Sequence, residues 1–174
     1  MKRILFIEGD DSLRRLYWRL FERKQYADVS VEFTGDINIA RESLQTTPFQ
    51  LIVLDIRFAH DQRAGLTFLR ELRDSGNNVP AVIYTGVPEQ ILREDLEGRN
   101  CITVIPKSLT SDEVMQRIDE AIFLVDAGMT EGSEHLDLLE SMAVQFNMEV
   151  GEETEDGESK DTPGIAGAEF RSEF

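Results

Sequence analysis

The chain has 174 residues, of which 41% are hydrophobic and 30% are charged, and its net charge is −16. This length fits one ordinary domain with an additional segment, and the hydrophobic content is that of a globular protein. The excess of acidic residues argues against direct nucleic-acid binding, because nucleic-acid phosphates repel a negatively charged protein. No apolar run approaches the ~20 residues that span a bilayer.

The charge is spread unevenly. Residues 1–125 contain 20 acids and 16 bases, whereas residues 126–174 contain 14 acids and 2 bases. The apolar run ILFI near the start is shorter than the roughly seven residues that a signal peptide requires, so we expect a cytoplasmic protein. The single cysteine, Cys101, has no partner for an internal disulfide.

Strands and helices are predicted to alternate along residues 1–125. Short apolar runs predict five strands, and runs with apolar residues at helical spacing predict five helices. In chain order these segments are RILFI, DSLRRLYWRLFERKQ, DVSVEF, DINIARESLQ, FQLIVLD, AGLTFLRELRDSG, PAVIYTG, VPEQILREDLEG, CITVIP and TSDEVMQRIDEAIFLV. This alternation predicts a (βα)5, doubly wound α/β fold, in which a parallel five-stranded sheet carries helices on both faces.

Two helix starts carry capping signals. Asp11 or Ser12 is the expected cap of the first helix, and Thr110 with Glu113 has the pattern of a capping box before the fifth helix. Acids before a helix also favour its N-terminus electrostatically. The acids near residue 10 can therefore have a purely structural role.

The pattern changes after residue 125. We predict a linker over 126–132, an extra amphipathic helix over 133–150 and a disordered acidic tail over 151–174. The helix would either pack on the preceding domain or serve in dimerisation or partner docking, because an isolated helix of this length is marginal in water.

Polar side chains follow four of the predicted strands. Glu8 and Asp10 follow the first strand, Asp55 the third, Thr85 the fourth and Lys107 the fifth. Because ligands of open α/β sheets bind at the carboxyl ends of the strands, we expect these groups to converge. A carboxylate nucleophile, a hydroxyl, an ammonium and acids able to hold Mg²⁺ together suit phosphoryl transfer.

Residues 1–125 resemble the receiver domains of two-component response regulators, through ILFIEGDDSLRRL, FQLIVLDI, AVIYTG and VIPKS. The resemblance implies a flavodoxin-like sheet with strand order 2-1-3-4-5. It implies that Asp55 accepts a phosphoryl group and that Thr85 and Lys107 contact that group. It also implies a Mg²⁺ site made by Glu8, Asp10, Asp55 and the backbone carbonyl of Arg57.

The sequence departs from the family pattern at several positions. Gly9 stands where the family has a second acid that ligates Mg²⁺ directly, and Asp10 follows one residue late. Pro106 precedes Lys107 instead of following it, and Ile105 takes the place that we assign to the switch aromatic. Arg57 is either an ordinary surface arginine or a source of positive charge that offsets a weakened metal site.

Three functions are compatible with these residues. The first is a phosphorelay receiver, not an enzyme in its own right, whose partners are a histidine kinase or phosphotransfer protein and a downstream protein. The downstream protein would contact the face of the fourth helix, fifth strand and fifth helix, and a homodimer is a further option. The second is a phosphorylation-independent pseudo-receiver that acts as a binding module. The third is a hydrolase with Asp55 as nucleophile, which lacks an evident second acid.

Overall fold

The computed structural model describes residues 1–58 and 61–128. The predicted helix over 133–150 and the acidic tail over 151–174 lie outside the described residues. No helix within the two described ranges is both long and apolar enough to cross a membrane.

Five strands and five helices alternate along the described chain. The strands are β1 (Lys2–Ile7), β2 (Val29–Thr34), β3 (Leu51–Leu54), β4 (Ala81–Thr85) and β5 (Cys101–Pro106). The helices are α1 (Asp11–Lys24), α2 (Ile37–Thr46), α3 (Ala64–Asp74), α4 (Glu89–Leu96) and α5 (Ser111–Asp126). All ten elements therefore agree with the sequence prediction in type and order.

The five strands form one parallel sheet in the order β2-β1-β3-β4-β5, which confirms the predicted fold. The sheet order reverses between β1 and β3, and this reversal opens a crevice at the carboxyl ends of these two strands. The register between β4 and β5 shifts after Ala81, so that Thr85 lies opposite Pro106.

Side chains alternate between two hydrophobic layers, one on each face of the sheet. One layer holds the inward residues of α2, α3 and α4, such as Leu44, Leu69 and Leu92. The other layer holds those of α1 and α5, such as Tyr17 and Ile118. Because β3 is buried on both faces, its four residues are all apolar, as expected for a central parallel strand.

Helix α1 begins one residue earlier than the sequence indicated. Asp10 is its N-cap, and its Oδ1 accepts hydrogen bonds from the backbone N–H groups of Ser12 and Leu13 at 2.8 and 3.2 Å. The expected cap at Asp11 or Ser12 is therefore wrong, because both residues already lie within the helix. The predicted capping box of α5 is confirmed at Thr110 and Glu113.

Candidate functional site

A buried cluster of two carboxylates and one ammonium lies at the carboxyl edge of the sheet. Nζ of Lys107 lies 2.8 Å from Oδ2 of Asp55 and 2.7 Å from Oε2 of Glu8. Glu8 and Asp55 are only 1% and 4% exposed. The ends of β1 and β3 and the residue after β5 therefore meet at one point, where the sequence placed the candidate site.

Backbone hydrogen bonds fix the positions of these three residues. The N–H of Asp55 donates to the carbonyl of Ile7 at 2.9 Å, which ties the end of β3 to β1. The N–H of Lys107 donates to the carbonyl of Thr85 at 2.8 Å and extends the ladder between β4 and β5. All peptide bonds in the described part of the chain are trans, so the Pro106–Lys107–Ser108 segment forms its turn without a cis bond.

Glu8 lies deepest in the cluster. Its Oε1 accepts a hydrogen bond from the Asp10 N–H at 2.9 Å. Its Oε2 is close to the Lys107 ammonium, but among the described residues no donor meets this oxygen with hydrogen-bond alignment. Burial raises the pKa of Glu8, and the nearby charge of Asp55 raises it further, while Lys107 opposes both effects.

Lys107 supplies the positive charge that the two acids share. Burial alone would lower the pKa of its ammonium, but Asp55 and Glu8 outweigh that effect and the pKa is raised. Its Nζ also lies 5.1 Å from the ring centroid of Tyr84, within the range of a cation–π contact. Lys107 is therefore held in its charged form from two sides.

Thr85 ends β4 beside this cluster. Its side chain is fully buried, and its Oγ1 accepts a hydrogen bond from the Val87 N–H at 3.1 Å. The hydroxyl is thus engaged with the start of the following loop rather than with Asp55. The O–H of Thr85 is a separate donor that can bond to an acceptor introduced at the site.

Asp10 and Arg57 border the cluster, and they make different contacts. The Asp10 carboxylate caps α1, and its side chain is not part of the Glu8–Asp55–Lys107 cluster. The N–H of Arg57 donates to Oδ1 of Asp55 at 3.3 Å. An ideal Cβ on Gly9 would lie 3.7 Å from the Arg57 carbonyl oxygen. The missing side chain at Gly9 therefore faces the predicted backbone ligand.

The donor set at this edge suits a hard divalent cation only in part. Among residues 1–58 and 61–128, no three His, Cys, Asp or Glu side chains form a group that could hold a metal ion. The oxygens that are available are one buried Glu8 oxygen without a hydrogen-bond donor, the Asp55 carboxylate and the Arg57 carbonyl. Two carboxylates with water and phosphate oxygens can satisfy Mg²⁺, which usually keeps several waters.

Two side chains that bear on the site were missed by sequence reasoning. Arg14 donates from Nη1 to the carbonyls of Glu8 and Gly9 at 2.5 and 3.0 Å, and so fixes the turn after β1. Tyr84 contacts Lys107 and shares a buried hydrogen bond with Tyr17, with 2.9 Å between the two hydroxyl oxygens. Strand alternation before Thr85 could have indicated the face of Tyr84, but not its contact with Lys107.

Ile105 and its neighbour Val104 lie on opposite faces of the sheet. It is buried in the layer of α1 and α5, whereas the neighbouring Val104 packs in the layer that includes α4. Successive strand residues point to opposite faces, so an error of one position changes the layer. Val104, not Ile105, is therefore the β5 residue directed toward the α4 side.

The chain was compared with protein families and with curated proteins. Residues 4–119 match the family model described as the response regulator receiver domain. That span covers β1 from Ile4 onward, all of β2 to β5 and α5 as far as Asp119, including Glu8, Asp55, Thr85 and Lys107. The curated proteins include no match to this chain.

Solved structures share the fold at low sequence identity. A CheY-like receiver domain protein from Methanospirillum hungatei JF-1 has a TM-score of 0.62 and 17% identity, over 74% of this chain and 98% of that chain. A two-component response regulator from Legionella pneumophila has a TM-score of 0.59 and 21% identity, over 73% of this chain and 99% of that chain. The response regulator TrrA from Thermotoga maritima, solved with Mg²⁺ and BeF, has a TM-score of 0.55 and 20% identity, over 69% of this chain and 98% of that chain.

Proposed function

Because the chain belongs to the response regulator receiver domain family, we propose that it accepts a phosphoryl group on Asp55 and signals through protein–protein contact. The observation that carries the proposal is the 2.8 Å ion pair between Asp55 and Lys107 at the carboxyl edge of the sheet. This pair holds a carboxylate beside the cation that the phosphoryl oxygens would require.

The proposed transfer forms one bond and breaks one. An oxygen of the Asp55 carboxylate attacks the phosphorus of a phosphohistidine on a kinase or phosphotransfer protein. The O–P bond forms as the P–N bond breaks, and the imidazole leaves with the electron pair and regains a proton from water. Lys107 neutralises charge on the phosphoryl oxygens, and positioning with charge neutralisation provides most of the catalysis in such transfers.

A divalent cation, with Mg²⁺ as the expected ion, is part of this proposal. TrrA was solved with Mg²⁺ and BeF, which supports a metal in a fold of this kind. In this chain Glu8, Asp55 and the Arg57 carbonyl would hold the ion, and Asp10 would join them only by leaving its cap position. When bound, the ion would supply additional positive charge to the phosphoryl oxygens.

The signal would pass from Thr85 to the surface. A phosphoryl oxygen offers an acceptor for the Thr85 hydroxyl, which now accepts from Val87 at the start of the loop to α4. Ile91 and Phe123 are exposed apolar side chains on α4 and α5, the two helices that border the expected docking surface for a downstream protein or a second copy. The protein would be cytoplasmic and would act as a switch, not as an enzyme that turns over a substrate.

A mass measurement tests the phosphoacceptor. The protein is incubated with acetyl phosphate and Mg²⁺, and its intact mass is expected to increase by one phosphoryl group. Asp55→Asn should abolish the adduct, whereas Asp11→Asn, which removes an exposed acid near the same edge, should retain it. Absence of an adduct on the unaltered protein would contradict the proposal, and an adduct on Asp55→Asn would assign the nucleophile elsewhere.

The second candidate is a phosphorylation-independent binding module. It is favoured by Gly9, which contributes no carboxylate, and by Lys107, which already closes ion pairs with both acids. This candidate predicts that Asp55→Asn leaves partner binding unchanged. The phosphorelay receiver predicts that phosphorylation changes that binding and that Asp55→Asn removes the change.

A further inference from the structure

The Arg57 side chain occupies the open rim of the proposed phosphoryl site. Its backbone belongs to the site, since its N–H donates to Oδ1 of Asp55. Its guanidinium extends over Gly86, the residue after Thr85, where an ideal Cβ would lie 2.7 Å from Nη2. The guanidinium therefore spans from the loop after β3 to the loop after β4, the two loops that flank the phosphoacceptor and the hydroxyl.

The guanidinium of Arg57 has no acidic partner among the described residues. Ion pairs within that part of the chain engage seven arginines but not Arg57, namely Arg3, Arg14, Arg15, Arg41, Arg63, Arg70 and Arg117. The side chain is exposed, so its charge remains hydrated and available to an anion. A planar guanidinium can contact two oxygens of a phosphoryl group at once.

The charges at the site leave a role for this cation. Lys107 is shared between Glu8 and Asp55, so the described cluster carries two acids and one base. Aspartyl phosphate carries a charge of about −1.5 to −2 in place of the single charge of the Asp55 carboxylate, so phosphorylation deepens this excess of negative charge. Gly9 supplies no carboxylate to strengthen a metal that would offset it.

We infer that Arg57 binds the phosphoryl group carried by Asp55 and supplies part of the positive charge that a divalent cation would otherwise provide. The inference rests on the proposed phosphoacceptor function and adds a specific phosphoryl-binding residue to it. Its consequence is a site that retains acceptance of the phosphoryl group when Mg²⁺ is scarce. Gly86 contributes to this arrangement because a side chain at that position would displace the guanidinium of Arg57.

The experiment compares initial rates of adduct formation from acetyl phosphate with Mg²⁺ and with EDTA. In this reaction Asp55 displaces acetate as the P–O bond of the donor breaks. Arg57→Gln should lower the rate in EDTA by about tenfold or more, the value of a charge-assisted hydrogen bond, and by clearly less with Mg²⁺. Arg57→Lys should recover part of the loss, because it restores the charge without the planar fork.

Arg93→Gln is the matched control, since it removes an exposed arginine from nearby α4 and should leave both rates unchanged. Equal rates for Arg57→Gln and the unaltered protein in both conditions would overturn the role of Arg57 while leaving Asp55 as phosphoacceptor. An equal reduction in both conditions would indicate a structural role and overturn it too. Unaltered protein that reacts with Mg²⁺ but not in EDTA would also overturn it, and no adduct in either condition would overturn both proposals.

Discussion

Nζ of Lys107 lies 2.8 Å from Oδ2 of Asp55, and the same ammonium lies 2.7 Å from Glu8. One cation thus compensates two buried carboxylates in a region from which water is largely excluded. Such an arrangement costs folding free energy, because desolvated like charges repel each other more strongly than exposed ones. The residues that suit the site to phosphoryl transfer should therefore lower the free energy of unfolding, and measurements on variants can separate the effect on stability from the effect on reactivity.

Replacing Asp55 by Asn should stabilise the protein. The change removes one of two neighbouring negative charges and leaves Glu8 and Lys107 as a matched pair, while the Asn oxygen can still accept from the Arg57 N–H. We expect the free energy of unfolding to increase by about 1 kcal/mol at neutral pH, because the repulsion between two neighbouring carboxylates is relieved. Urea denaturation measures it, with Asp61→Asn in the neighbouring loop as control; a decrease would mean that Asp55 contributes net stability.

Replacing Lys107 by Met should destabilise the protein in a pH-dependent manner. Two carboxylates would stay buried without their cation, and the free energy of unfolding should decrease by about 3 kcal/mol at neutral pH. Removal of the ammonium should raise the pKa of Glu8 further above its ordinary value of 4.5. The folded variant then binds a proton more readily than the unfolded chain.

The deficit of Lys107→Met relative to the unaltered protein should therefore be largest above the raised pKa of Glu8. It should shrink as pH falls through that pKa toward 4.5, which urea denaturation at about pH 7 and about pH 5 would reveal. Lys24→Met removes an exposed partner of Asp119 and should cost under about 1 kcal/mol at both pH values. A deficit for Lys107→Met that does not change with pH would contradict the burial argument.

The two roles open to Asp10 can be separated by two substitutions. Asp10→Ala removes both the helix cap and the carboxylate, whereas Asp10→Ser retains a capping oxygen and removes only the charge. If the observed cap is the principal role, Asp10→Ala should lower the free energy of unfolding by about 1 kcal/mol and Asp10→Ser by less. Calorimetric titration with Mg²⁺ should then give equal affinities for Asp10→Ser and the unaltered protein, and a loss of affinity would identify Asp10 as a ligand.

Gly65 is required by close packing rather than by backbone conformation. A Cβ at this position would overlap the backbone carbonyl oxygen of Asp55, and backbone atoms cannot move aside as a side chain can. Gly65→Ala should lower the free energy of unfolding by about 3 kcal/mol. Gly86→Ala is the matched comparison because its new Cβ meets the flexible end of Arg57, and its cost should be much smaller. Similar thermal unfolding midpoints for both variants would contradict this distinction.

The sequence was sufficient to predict the ten elements and the edge where Glu8, Asp55 and Lys107 meet. Apolar periodicity specifies which residues are buried, and the topology of parallel strands brings their carboxyl ends together. The cap at Asp10 was missed because Asp10, Asp11 and Ser12 are consecutive residues of types that all favour the N-cap position. The faces of Val104 and Ile105 depend on strand register, which shifts between β4 and β5, and the reach of Arg57 depends on its rotamer.

Gly9→Asp should strengthen Mg²⁺ binding. An ideal Cβ at residue 9 lies 3.4 Å from Cδ1 of Phe58 and 3.7 Å from the Arg57 carbonyl oxygen, so a side chain fits at ordinary contact distances. The new side chain would extend from a point beside the carbonyl oxygen of Arg57, the predicted backbone ligand. Its carboxylate, together with those of Glu8 and Asp55, would complete a set of oxygen ligands suited to Mg²⁺. We expect the dissociation constant from calorimetric titration to fall by about tenfold, or ~1.4 kcal/mol.

Gly9→Asn is the matched control, because it adds the same shape at residue 9 without the negative charge. It should leave Mg²⁺ affinity near that of the unaltered protein. Gly9→Asp should also make the rate of adduct formation with Mg²⁺ less sensitive to the Arg57→Gln substitution. The reason is that a better-held metal leaves less charge for Arg57 to neutralise. Equal Mg²⁺ affinities for the two Gly9 variants would show that the acid at this position does not reach the ion.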